Sequence, residues 1–282
     1  MRRLVLAGIP AFALLSAFAV GCTSQHRVSA ETSVAKALIS DEQSEEIGRQ
    51  VHAELEQQGI SFTDDPVVQD YVDNIGGRIL YHAEKDRPDI HYHIHVIDDL
   101  KTVNAFATPG GHIYVFTGLI NAAANEAEVA GVIAHEAGHV VGRHVERQIV
   151  NAYGLQALSA LALGNDPSTI KQLSVTLAGT GLLRAHSRSE EIEADEYGAR
   201  YMAAAGYDPQ ALISFFRTLE KQSQGSPPRV LAWLQTHPTE ARRIDNLEEY
   251  IKENDLVGAR LGDARHQEIK RRLISDEERA SN

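Results

Sequence analysis

The chain has 282 residues, 43% hydrophobic and 23% charged, the balance of a folded globular protein rather than a disordered or fibrous one. Its formal net charge of −12 gives no attraction to phosphate backbones and argues against a nucleic-acid partner. Beyond the amino terminus no stretch approaches the ~18 consecutive apolar residues of a membrane span, which excludes a polytopic membrane protein.

Met1-Arg2-Arg3 precedes an uncharged run from Leu4 to Val20, the pattern of a signal peptide. The run ends at Ala19-Val20-Gly21-Cys22, and Cys22 is the single cysteine of the chain. Small residues leading into a cysteine resemble the bacterial lipobox, in which the thiol is lipidated, although Ala19 stands where that motif most often has Leu. Residues 1–21 are therefore expected to be a lipoprotein-type signal peptide and Cys22 the lipidation site. Residues 22–40, small and polar, read as a tether. By the same resemblance, Thr23 after the cysteine favours the outer membrane. With Cys22 used in this way, no disulfide can stabilise the folded part.

From Asp41 the apolar residues Ile47, Val51 and Leu55 recur every four residues, predicting a helix that stops at Gly59. Asp65-Pro66, a cap followed by a first-turn proline, opens a second helix through Val67, Tyr71, Ile75 and Ile79. The period then falls to two. Ile90, Tyr92, Ile94 and Val96 alternate with His91, His93 and His95, a strand that ends at Asp98-Asp99. The three histidines read as its polar solvent face rather than as a cation site. Further strands are expected at 103–108 and 112–117, joined by Pro109-Gly110-Gly111. Asn125, with Glu128 three residues later, opens a helix expected from Glu126 to about Val150. Small apolar helices follow at 152–163 and 168–184, split by Asp166-Pro167. Three more are expected at 189–205, 208–224 and 239–254, separated by Gly206 and Ser226-Pro227-Pro228, with a charged tail over 263–282 that is expected to be helical or frayed. The sum is an α+β protein, mainly α-helical, with one small sheet and a single folded domain over 41–262.

His135-Glu136-Ala137-Gly138-His139 lies inside the helix expected from Glu126. Residues four apart share a helix face at about 5–6 Å between Cβ atoms, so both imidazoles can bind one zinc ion. Glu136 points ~100° around the helix, beside the ion rather than on it, where it suits a base for an attacking water. Val132, Ile133, Val140 and Val141 bracket the motif with apolar residues, the signature of a buried helix. A third protein ligand is needed, and Ser189-Glu190-Glu191-Ile192-Glu193-Ala194-Asp195 offers several candidates on a second helix.

Together with Asn104-Ala105-Phe106-Ala107 and His237-Pro238, these motifs resemble the zinc metallopeptidase family of CAAX prenyl protease, HtpX and BepA type, over roughly residues 41–255. The resemblance implies a zincin (gluzincin) fold, with the small sheet beside the active-site helix, and one zinc ion per chain. It maps the third ligand to Glu191 and makes Asp195 its partner, positioned to orient a metal-bound histidine. Glu190 is the rival ligand one residue away, and Glu193 reads as a solvated charge. It also places His237 and Arg243 at the active site. His237 could be a fourth ligand that holds the enzyme latent or a donor to the oxyanion, and without either role it simply opens a helix at Pro238. His144, half a turn off the motif's face on an unbroken helix, is expected to be structural or on the surface.

The strand carrying Asn104, Ala105, Phe106 and Ala107 is the expected substrate-binding edge, able to pair with an extended peptide. Glu136 is the expected catalytic base. The expected substrates are misfolded or misassembled cell-envelope proteins, met by an outer-membrane lipoprotein that faces the periplasm. Two other readings use the same motifs: a binding module for unfolded envelope proteins, and a purely structural zinc closed by His237.

Overall fold

A computed structural model describes residues 24–163, 167–181, 185–223, 232–238 and 241–280. The signal peptide, Cys22 and Ser226-Pro227-Pro228 lie outside the described residues. Among the described residues, no helix is long and apolar enough to cross a membrane.

Two helices open the described chain. The segment expected as a tether is helical, α1 at Ser24–Leu38, and its end is buried at Ala35 and Ile39. Reading it as a tether weighed its polar surface and overlooked these few apolar anchors. α2, Asp41–Gln57, starts at a capping box in which the Ser40 hydroxyl accepts from Gln43 N and the Gln43 side chain accepts from Ser40 N. α3, Pro66–Asp86, has Asp65 as its cap and proline in its first turn, as expected.

The sheet has three strands in the order β1-β3-β2: His93–Ile97, His112–Phe116 and Ala105–Ala107. β1 runs parallel to β3, and β2 antiparallel to it. Each strand is shorter than expected from its sequence pattern, because pairing, not alternation, sets where a strand ends. Between β2 and β3, Pro109–Gly111 makes a 3-10 turn with Gly110 and Gly111 at φ 77° and 81°, a conformation that favours glycine.

A short helix, α4 at Thr117–Ala122, leads to α5, Glu126–Val141, which is buried from Ala127 to Val140. The helix expected to reach Val150 breaks here instead. Gly142 closes α5, Arg143 takes φ 54°, and α6 restarts at His144 and runs to Leu163. Burial of Arg143 holds the break. Its guanidinium donates to Ile39 O at 3.1 Å and pairs with Asp41, which also pairs with Arg87 at 2.8 Å. Arg87 donates in turn to Glu146 at 2.9 Å and to Val140 O at 2.5 Å. Apolar periodicity carries no trace of such a network.

The remaining helices are α7 at Pro167–Thr176 with a π turn at Leu177–Gly181, α8 at Arg188–Ala204, α9 at Gln210–Ser223, α10 at Ala232–Thr236, α11 at Ala241–Glu253 and α12 at Asp263–Ala280. The charged tail is thus a docked helix: Ile269 and Leu273 join the core, and His266 Nδ1 lies 2.7 Å from Tyr71 Oη. The larger core gathers α3, α5, α8, α9 and one face of the sheet. A smaller core gathers α1, α2, α7 and the other face.

Candidate metal centre

Two helices carry the centre, and glycines let them approach. A Cβ on Gly138 of α5 would stand 2.8 Å from Ala194 O of α8, and one on Gly198 of α8 would stand 3.3 Å from His135 N. Side chains at this position would push the helices apart.

At the crossing, one ligand-type atom each from His135, His139, Glu191 and His237 lies within 4.8 Å of the others. His135 Nε2 is 3.0 Å from His139 Nε2 and 3.2 Å from His237 Nδ1. The Glu191 oxygens are 3.6 Å from both motif nitrogens, and Oε1 is 3.0 Å from His237 Nδ1. A tetrahedral ion with ~2.0–2.1 Å bonds to nitrogen has ligand-to-ligand edges near ~3.4 Å, so the spacing fits. All four side chains are at most 2% exposed. Glu191 Oε2 is buried and ion-paired with Arg243 Nη1 at 2.6 Å. A buried carboxylate that converges with three imidazoles is a donor set for a cation.

Each imidazole of the motif is fixed from behind. His135 Nδ1 meets Asp195 Oδ1 at 2.9 Å, the contact expected of Asp195. Asp195 is held by Arg243 through Nε at 2.5 Å and Nη2 at 2.8 Å, and the guanidinium lies 4.5 Å from the centre of the Phe216 ring. Arg243 contacts both carboxylates and braces Asp195 and Glu191 together. His139 Nδ1 lies 2.7 Å from His144 Nδ1, and His144 Nε2 lies 3.0 Å from Glu193 Oε2.

These last contacts decide between the two roles open to His144 and correct the reading of Glu193. His144 is structural but not at the surface, since the break after α5 turns it back against His139. Glu193 is not a solvated charge: His144 and Arg147 hold it, and they outweigh the effect of its burial to keep its carboxyl below the usual range. Glu190, the rival ligand, is occupied elsewhere, because it forms the capping box of α8 with Ser187. His186, which sequence reasoning missed, packs its ring 3.9 Å from His139.

Glu136 is buried beside the four; Trp233 Nε1 donates to its Oε1 at 3.3 Å, and His237 Nε2 lies 3.5 Å from the same oxygen. Burial pushes the Glu136 carboxyl up and takes Glu191 to about 7, and it holds the imidazoles of His135 and His237 down at about 4. Neutral imidazoles with free lone pairs are what a metal requires. His237 stacks on Trp233 at 4.7 Å, and its Nδ1 faces the fourth corner of the cluster. A cavity of about 500 Å³, lined by Arg188, Ile192, Pro238 and Arg242, opens onto Glu191 and Arg243.

The strand with Asn104, Ala105, Phe106 and Ala107 lies at the sheet edge. Phe116 N donates to Asn104 O and Thr108 N to His112 O. The alternation of an antiparallel pair then points the backbone groups of Ala105 and Ala107 away from β3, toward an edge that no strand pairs with among the described residues. Trp233 N donates to Val103 O at 3.1 Å, tying this strand to the same indole that contacts Glu136. Asn104 Oδ1 is buried without a hydrogen-bond partner.

The profile of peptidase family M48 matches residues 66–251. Fold and site define a zincin-type metallopeptidase, and the chain belongs to peptidase family M48. Mitochondrial metalloendopeptidase OMA1 of Schizosaccharomyces pombe is 35% identical over 184 residues, covering 65% of this chain and 53% of that protein. Beta-barrel assembly-enhancing protease of Escherichia coli (strain K12) is 31% identical over 192 residues, covering 64% and 38%. The OMA1 protein of Saccharomyces cerevisiae is 30% identical over 197 residues, covering 66% and 56%. The matched region thus spans between two-fifths and little more than half of these relatives.

Proposed function

We propose that the chain is a zinc endopeptidase, anchored in a bacterial outer membrane through Cys22 and facing the periplasm, that cleaves misfolded or misassembled envelope proteins. The observation that carries the reading is the convergence of His135, His139 and Glu191 with Glu136 beside them. The envelope substrate draws support from the relative whose printed name concerns β-barrel assembly. The amino-terminal sequence pattern supports the anchor.

His135, His139 and Glu191 would hold a zinc ion, which would supply Lewis acidity toward the peptide carbonyl and toward water. The chain supplies the rest. Ala105 and Ala107 present free backbone groups that can pair with an extended substrate strand. Glu136, its carboxylate backed by the indole of Trp233, takes a proton from the attacking water and returns it to the departing amine. Asp195 and His144 hold the two motif imidazoles in one orientation.

The test is Glu136→Gln in the full chain. It should keep the bound metal and lower casein cleavage by on the order of 10²–10⁴-fold, and wild-type cleavage should stop with a chelator. Unchanged turnover in the variant overturns the reading. Cys22→Ser reports on the anchor, because the protein should leave the membrane fraction; a variant still sedimenting with membranes removes that part of the proposal.

A further inference from the structure

A second group of histidines lies apart from the His135 cluster. His52 comes from α2, His95 from β1 and His112 from β3, and one ring nitrogen from each lies within 4.8 Å of the others. The alternation of the strands separates the two groups. Ile113 and Val115 of β3 belong to the core around α5, while Tyr114 joins Ile47 and Val51 of α2 in the smaller core. His112 shares the face of Tyr114, and the parallel register sets His95 beside Tyr114. The sheet therefore stands between this group and the motif helix.

We infer that His52, His95 and His112 form a second metal site, on the α2 face of the sheet, for a divalent ion that prefers imidazole, of the zinc or copper kind. His95 Nε2 and His112 Nδ1 already stand 2.9 Å apart, inside the ~3.4 Å edge of a tetrahedral zinc site. The ring of His52 stacks 4.1 Å from that of His95, and its side chain keeps 25% exposure, which leaves it room to turn and gives an ion a way in. Tyr114 Oη lies 3.3 Å from His52 Nδ1, so the phenol can fix that nitrogen while Nε2 binds, as outer partners of metal ligands do. His93, its ring 4.9 Å from that of His112, stands at the margin as a fourth donor.

The donor chemistry selects the ion. Glu56 Oε1 stays 3.9 Å from His52 Nε2, so the set is imidazole rather than the oxygen donors that calcium and magnesium require. Burial and the neighbouring histidines hold His95 and His112 down at about 3, which leaves both neutral with lone pairs available. Of His91, His93 and His95, expected on a solvent face, His95 instead packs under His52 of α2.

The experiment uses the metal-stripped full chain, titrated with Zn²⁺ and separately with Cu²⁺. Wild type should bind two equivalents of Zn²⁺. His52→Gln and the double variant His52→Gln/His95→Gln should each lose one of them while keeping the wild-type circular dichroism. The difference between the wild-type and His52→Gln electron paramagnetic resonance spectra with Cu²⁺ should carry nitrogen splitting. A single equivalent in wild type, or a second one that survives in both variants, overturns the inference. His52 lies on the outer side of the group, so His52→Gln tests the site even if the double variant fails to fold.

Discussion

His237 poses the sharpest question at the scale of single residues. Its Nδ1 fits the fourth corner of the metal centre, and its Nε2 lies 3.5 Å from Glu136, so the ring fills the space between base and cluster where an attacking water would stand. Four protein ligands make a closed, structural type of site, whereas a hydrolytic site keeps one position open. The geometry therefore favours the inhibitory reading of His237 over that of an oxyanion donor. His237→Ala should raise casein cleavage, by about tenfold if closure is favoured by ~1.4 kcal/mol. A loss of cleavage in that variant, with metal retained, would assign the ring to the chemistry instead. Part of this was legible at the residue scale: His135, Glu136 and His139 stand in a fixed spacing on a regular helix, whereas Glu191 and Asp195 were singled out from their neighbours by the family resemblance. Glu190 could also have been excluded from sequence, since Ser187 three residues before it spells a capping box.

Among the elements, the break between α5 and α6 does the most for the centre. It delivers His144 to His139, and it is the feature that hydrophobic periodicity hid, since apolar residues continue on both sides of it. The overlooked signal was Gly142, a helix-ending glycine followed by a residue in the left-handed region. A Cβ on Gly142 would stand 2.2 Å from His144 Nε2, in a backbone conformation that alanine adopts freely. Gly142→Ala should therefore displace the imidazole rather than the helix, and weaken metal affinity by ~10–100-fold, the usual effect of losing an outer partner. His144→Gln should do the same, and the two together should do no more than either alone. Affinity unchanged in Gly142→Ala would show that His144 does not support the centre. α10 was not legible for a different reason: so short a segment becomes helical through the few contacts it makes, such as those of Trp233.

Over the whole molecule, buried neutral histidines tie stability to pH. His95 and His112 are held at about 3, and His135 and His237 at about 4, against an ordinary value of 6.5. Below 6.5 the unfolded chain binds protons that the folded chain refuses, so folding stability is complete above that value and is lost as pH falls toward 4 and 3. For each such group the slope is on the order of 1 kcal/mol per pH unit. The Tm of the metal-stripped protein should fall steeply between pH 7 and pH 4.5, and less steeply in His95→Gln. A flat profile would mean that these rings are not sealed from water. The fold and the proposed chemistry meet where two crossing helices bring His135, His139 and Glu191 together. The direct measurement is an anomalous difference map at the zinc edge from crystals of the zinc-loaded chain. It should place a peak ~2.0–2.3 Å from His135 Nε2, His139 Nε2 and an oxygen of Glu191. A map with no peak there, or with Glu190 as the carboxylate ligand, would contradict the assignment.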